Sequence, residues 1–206
     1  MKTSAPLLGE PLPVELMNTV WADREGVHDS LADPEEAIAW LSAVASGIDV
    51  RIKDDLALAD DSDKAHIARS LQRLRDALRC LAADATGDDR PAAASPTNDI
   101  NAAVAHLNRA AAAAPRWSVI ELLDAAFLRK VTVSAKSAPE AAVSQIADAA
   151  IALLTGPQRE SLRACHAPGC VLYFVKQHPR REWCSAGCGN RARVARHYQR
   201  HSRDQP

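Results

Sequence analysis

Four of the five cysteines fall within the last quarter of the 206-residue chain, spaced as Cys165-x4-Cys170 and Cys184-x3-Cys188 with thirteen residues between the pairs. Each short spacing lets a turn or a helix start present two thiolates side by side, and two such pairs meet the tetrahedral demand of one Zn²⁺. The 48 residues that carry them, 159–206, bury too little apolar surface to be secure alone, and a bound metal is the usual remedy at that size. A disulfide framework is the competing reading; it requires an oxidising compartment, and no secretory signal is seen in the first twenty residues. Four sulfur ligands close the coordination shell, so the ion is expected to be structural rather than catalytic. The fifth cysteine, Cys80, stands on the apolar side of a helical pattern and reads as core. His166, His178, His197 and His201 are near the pattern but are left out of the ligand set.

Charge divides the chain at the same place. The 25 Lys+Arg and 26 Asp+Glu leave a net of −1, yet residues 1–158 carry −8 and residues 159–206 carry +7. Such asymmetry indicates two modules, the second attracted to polyanions. Four thiolates and one Zn²⁺ add −2 and lower the tail to +5. Aromatic residues are only 4 % while alanine is abundant, which favours helices packed through small side chains. No segment approaches the roughly 20 consecutive apolar residues of a membrane span, so the expectation is a cytoplasmic protein, nucleoid-associated if it binds DNA.

Within residues 1–158 the pattern predicts mostly helix. Residues 12–21 read as a short strand or lead-in. Asp33-Pro34-Glu35-Glu36 is a helix start, with Asp33 to accept backbone N–H groups and Pro34 suited to the first helical position; Gly47 is a stop. From Ser62 a second helix sets Ile67, Leu71, Leu74, Leu78 and Leu81 on one stripe, leaving Arg69, Arg73, Arg75 and Arg79 to a solvated face. Residues 86–98, with Gly87, Pro91 and Pro96, read as a mobile surface excursion. A third helix runs from Ile100 to Pro115, a small β-hairpin occupies 116–133, and Ser137-Ala138-Pro139-Glu140 is a capping box that starts a fourth helix. No Gly-rich phosphate loop, nucleophile elbow or paired-His motif occurs, so no enzyme is expected. The predicted class is α+β, mainly α: a helical domain over 1–158 with a small hairpin, then a zinc-finger module over 159–206.

In the tail, Val171–Val175 reads as a strand on which Tyr173 and Phe174 point to opposite sides, one buried and one partly exposed. Residues 176–182 form a basic loop with Arg180 and Arg181, which Glu182 can pair with, and Trp183 covers the metal knuckle. Ser185 caps a last helix. Arg193, Arg196, Arg200 and Arg203, spaced 3, 4 and 3, share one face of it; Val194 and Tyr198 share another that is expected to pack on the knuckles, with Arg191 near that packing face. Guanidinium groups along a rigid helix can track phosphates or read guanine edges, so duplex DNA is the expected partner and Arg180, Arg181, Arg191, Arg193, Arg196, Arg200 and Arg203 the contact set. The alternative is a zinc-stabilised protein-interaction module, its cations docked on an acidic surface such as the chain's own N-terminal part.

The run Trp183-Cys184-Ser185-Ala186-Gly187-Cys188-Gly189-Asn190-Arg191 resembles the signature of the CGNR zinc finger, and Cys165-His166-Ala167-Pro168-Gly169-Cys170 is similar to that family's first knuckle. The likeness implies Cys165, Cys170, Cys184 and Cys188 as ligands of one zinc ion. It also implies an N-terminal ABATE-type domain, for which Asn18-Thr19, Asp33-Pro34 and Trp40-Leu41 are the matching residues, and a bacterial regulator of transcription under stress. A small-molecule or protein effector would act on that domain. Gly189 would admit close backbone approach to the knuckle and Asn190 would bond backbone or thiolate groups beside it.

Overall fold

The computed structural model describes residues 5–50, 52–124 and 127–203, without the side chains of 123, 124, 127 and 201–203. It opens with α1 (Leu12–Met17), a helix in place of the expected short strand or lead-in; Pro13, at the second helical position, presets the helical φ of its first turn. A small antiparallel pair follows, β1 (Val20–Ala22) and β2 (Val27–Asp29). Then come α2 (Pro34–Ala43), capped by Asp33 through the backbone N–H of Glu35 and continued by a 3₁₀ turn that ends at Gly47, and the short α3 (Lys53–Leu58). The longest helix, α4 (Asp61–Thr86), starts on an Asp60 cap and stops at Gly87, whose φ of +62° is the left-handed conformation glycine adopts without strain. Next are α5 (Ile100–Ala112), the hairpin of β3 (Arg116–Asp124) and β4 (Phe127–Ser134), and α6 (Ala138–Thr155), where Ser137 and Glu140 form the expected capping box. The tail holds β5 (Leu162–Ala164), paired antiparallel with β6 (Tyr173–Val175), and α7 (Ala186–Arg203). The fold is mainly helical with small hairpins, as the sequence predicts.

The core explains the centre of this arrangement. α4 touches α1, α2, α5, α6 and β5, so more than one of its faces is covered. Arg75 and Arg79 are consequently buried, 4 % and 2 % exposed, not solvated. A buried guanidinium needs partners, and each finds them. Arg75 is held by both carboxylate oxygens of Asp29 and by Asp76. Arg79 donates to the carbonyls of Met17 (2.9 Å) and Ala93 (2.8 Å) and lies over the Tyr173 ring.

β5 and β6 form a wall between two apolar clusters. Leu162, Ala164, Tyr173 and Val175 belong to the helical core, whereas Phe174 packs with the four tail cysteines, Trp21 and Leu172. Both Tyr173 and Phe174 are therefore buried, because both faces of the strand are covered, and the expected partial exposure of one of them does not occur. The amide of Asn18 acts as a neighbouring strand would: its Nδ2 donates to the Tyr173 carbonyl (3.0 Å) and its Oδ1 accepts from the Tyr173 N–H (2.9 Å).

Candidate metal centre and cationic helix

The first knuckle follows β5. Its turn depends on Gly169 at φ +71°, and the Cys170 N–H closes it on the Ala167 carbonyl at 2.9 Å. The second knuckle is the start of α7, where the Ser185 hydroxyl accepts from the Cys188 N–H at 3.2 Å. These two turns bring four buried sulfurs within 4.8 Å of one another: Cys165, Cys170, Cys184 and Cys188. The Cys170–Cys184 and Cys184–Cys188 sulfur separations are 3.8 and 3.3 Å, and all four are free thiols. Tetrahedral sulfurs about 2.3 Å from zinc lie about 3.8 Å apart, whereas disulfide sulfurs lie at about 2.05 Å. The donor set and its spacing thus fit one zinc ion. Bound there, the ion supplies a four-way cross-link between the knuckles and leaves no coordination position for a substrate.

The surroundings suit an anionic cluster. Arg191 Nη2 donates to Cys188 Sγ at 2.9 Å, so this guanidinium braces the site from the packing side. Among the packed thiols, hydrogen bonds from Cys165, Cys170 and Cys184 hold the Cys188 thiol well below its ordinary range, while Cys165 and its neighbours push Cys184 up. Gly189 allows a close approach here: a Cβ on it would sit 3.2 Å from Cδ1 of Trp183, which packs against the cysteine cluster and would have to shift. Asn190 accepts from Arg193 through its Oδ1. His166 is exposed, and the four-cysteine cluster includes no histidine.

Several supporting residues escape sequence reasoning. Arg90 donates from Nη1 to the carbonyls of Cys165 (2.7 Å) and Cys170 (2.8 Å), clamping both ends of the first knuckle. Asp88 fixes it in turn, accepting from Arg90 Nε at 2.6 Å and Nη2 at 2.7 Å, and from the Tyr173 hydroxyl at 2.6 Å. Burial would raise the Asp88 carboxyl, but Arg90 and Tyr173 outweigh it and hold it at about 2. The segment expected to be a mobile excursion is thus the one that secures the metal site. Its Gly and Pro content marks a turn correctly but says nothing of what Arg90 reaches.

The basic residues separate into two groups. Arg181 is engaged in the fold: it pairs with the buried carboxylate of Glu10, donates to the carbonyls of Cys184 (2.9 Å) and Val175 (3.1 Å), and covers the Phe174 ring. Its partner is Glu10, not Glu182. Arg180, Arg193, Arg196 and Arg200 are exposed, and none pairs with a carboxylate among the described residues. Arg180, Arg193 and Arg196 line one open groove beside the start of α7, with Ser185 and Glu182. The Arg203 side chain lies outside the described residues. α7 packs through Cys188, Ala192 and Ala195, spaced 4 and 3, so Val194 and Tyr198 are left 54 % and 68 % exposed instead of covering the knuckles.

A helical core continued by a strand pair into four cysteines positioned to hold one metal ion, followed by an arginine-bearing helix, defines the class of protein. The chain belongs to the ABATE family, described as "Putative stress-induced transcription regulator", whose model matches residues 10–157. The CGNR zinc finger matches residues 161–201. Neither is an enzyme family. No curated protein matches the chain. No helix among the described residues is long and apolar enough to cross a membrane.

Proposed function

We propose that this protein is a DNA-binding transcription regulator in which Cys165, Cys170, Cys184 and Cys188 hold one structural Zn²⁺ and α7 offers its arginines to the phosphates of duplex DNA. The observation that carries the reading is the groove walled by Arg180, Arg193 and Arg196. Arg181 lines the same groove but is paired with Glu10; the other three guanidinium groups converge there from two segments with no ion pair among the described residues, and Arg200 extends the row one turn further. The groove also borders the N-terminus of α7, where the helix dipole favours anions. Masking by the acidic N-terminal part would require ion pairs between it and this row. Arg181, which does reach that part through Glu10, is not a member of the row.

The test is fluorescence anisotropy of the zinc-loaded full chain with a random-sequence duplex across a salt series. Each phosphate that is no longer neutralised should reduce the slope of log affinity against log salt by about 0.9. The Arg193→Ala/Arg196→Ala/Arg200→Ala variant should therefore bind more weakly, with a slope shallower by roughly 2 to 3. Equal affinity and equal slope for the two proteins would overturn the assignment. The exposed Val194 and Tyr198 favour a second reading, docking of another protein on α7; it gains if Tyr198→Ala abolishes partner capture while the salt slope is already near zero in the wild type.

A further inference from the structure

α4, α5 and α6 border an open pocket of about 230 Å³. Its chemistry is split. Ile67, Ala110, Pro139 and Val143 supply an apolar wall. Arg73, Arg109 and His106, with His66 and Ser70, supply a cationic and hydrogen-bonding side. Neither Arg73 nor Arg109 meets a carboxylate among the described residues, although the N-terminal part of the chain is strongly acidic. Two guanidinium groups left unpaired at one cavity, in a part of the chain rich in aspartate and glutamate, are placed for an anion that comes from outside. The acidic group on the rim, Glu140, already accepts from the Ser137 N–H and hydroxyl in the helix cap. Burial, then Arg109 and Arg73, lowers the His106 imidazole below its ordinary value, so at neutral pH it is a neutral donor or acceptor beside two fixed cations.

We infer that this cavity binds a small organic carboxylate, its charged end on Arg73 and Arg109 and its apolar body against Ile67, Pro139 and Val143. Bidentate guanidinium contacts suit a carboxylate, and a volume below the roughly 300–1,000 Å³ of drug-sized sites restricts the body to a single ring or a short chain. The three bordering helices include α4, whose Arg79 bonds the carbonyls of Met17 and Ala93, so a ligand seated here bears on the helix around which the chain is built. The assignment stands whether or not the protein binds DNA.

The experiment uses the full zinc-loaded chain with benzoate and hexanoate as probes, followed by the histidine ring proton resonances. Saturable shifts of the His66 and His106 signals are expected with both. Benzamide, of the same shape without charge, and inorganic phosphate, charged without an apolar body, should each bind at least tenfold more weakly. The Arg73→Gln/Arg109→Gln variant should lose at least tenfold in benzoate affinity; both positions are exposed, and the benzamide comparison needs no variant at all. Absence of saturation with either carboxylate, equal binding of benzamide or phosphate, or unchanged affinity of the double variant would overturn the assignment.

Discussion

Asp88→Asn tests whether the loop over 87–97 is a fastener of the metal module. The Asp88 side chain is 1 % exposed and holds Arg90 and Tyr173 together. Its carboxyl is lowered from 3.8 to about 2, a difference of close to two units, so its ionised form contributes on the order of 2 kcal/mol at neutral pH. Asparagine keeps the shape and one acceptor but turns an NH₂ toward the Arg90 donors, leaving a largely buried cation without its counter-charge; the total loss should fall between about 2 and 4 kcal/mol. With urea slopes of about 1–3 kcal/mol per molar, the unfolding midpoint of the zinc-loaded chain should drop by roughly 1 M or more at pH 7. Because the folded-state carboxyl is depressed, this contribution is fully present above about pH 4 and is lost as pH falls toward 2. The gap between wild type and Asp88→Asn should therefore stay constant from pH 7 to 5 and close below 4. Arg90 would also hold the Cys165 and Cys170 carbonyls less firmly, so zinc affinity measured by chelator competition should weaken about tenfold. The neighbouring exposed Asp89→Asn serves as control, expected within about 0.5 kcal/mol of wild type. Equal midpoints for Asp88→Asn and Asp89→Asn would refute the reasoning.

Elemental analysis of the purified chain should return one zinc per molecule, and Cys188→Ser should reduce that content; scattered stoichiometries or an unchanged value would remove the four-sulfur assignment. Gly189→Ala should destabilise the zinc-loaded protein by about 1 kcal/mol or more and shift Trp183 fluorescence, since its Cβ would meet the indole at 3.2 Å, whereas Gly187→Ala, with only the Ser185 hydroxyl 3.7 Å away, should be neutral or stabilising by helix propensity. Asn18→Ala leaves the Tyr173 N–H and carbonyl without their buried partner and should cost roughly 2–4 kcal/mol in urea unfolding, a loss that an exposed asparagine such as Asn108 would not reproduce.

Local signals are the legible ones. The cysteine spacings, the Asp33 and Ser137 caps, the stop at Gly47 and the hairpin over 116–133 depend on neighbours in sequence, and the structure has each of them. What sequence periodicity does not reveal is set by distant contacts. Arg75 and Arg79 lie beside the apolar stripe of α4, and only the packing of α1 and the tail on that side turns a solvated position into a buried one. Arg181 looks like its neighbour Arg180 in sequence, yet Glu10, 171 residues away, decides which of the two belongs to the fold. On α7 the apolar pair Val194 and Tyr198 suggests the packing face, but a metal-centred knuckle needs close approach, which the small side chains of Ala192 and Ala195 allow and a tyrosine does not.

These distant contacts share a location. Asn18, Arg79, Asp88 and Arg90 all converge on residues 165–173, the strand and turn that carry the first pair of sulfurs. Leu162, Tyr173 and Val175 are buried in the helical core, and burial of a large apolar side chain contributes about 1.5–3 kcal/mol each. Phe174, on the same strand, is buried among the cysteines instead. The strand cannot leave one cluster without leaving the other, because successive side chains of a strand point to opposite faces. Metal bound at the knuckles therefore stabilises the wall against which the helices pack, and the helices in turn hold the backbone that positions the sulfurs. Among the described residues the net −8 and +7 are not joined through a band of ion pairs: the contacts are mainly carbonyls, an amide and two buried carboxylates, which leaves Arg193, Arg196 and Arg200 exposed.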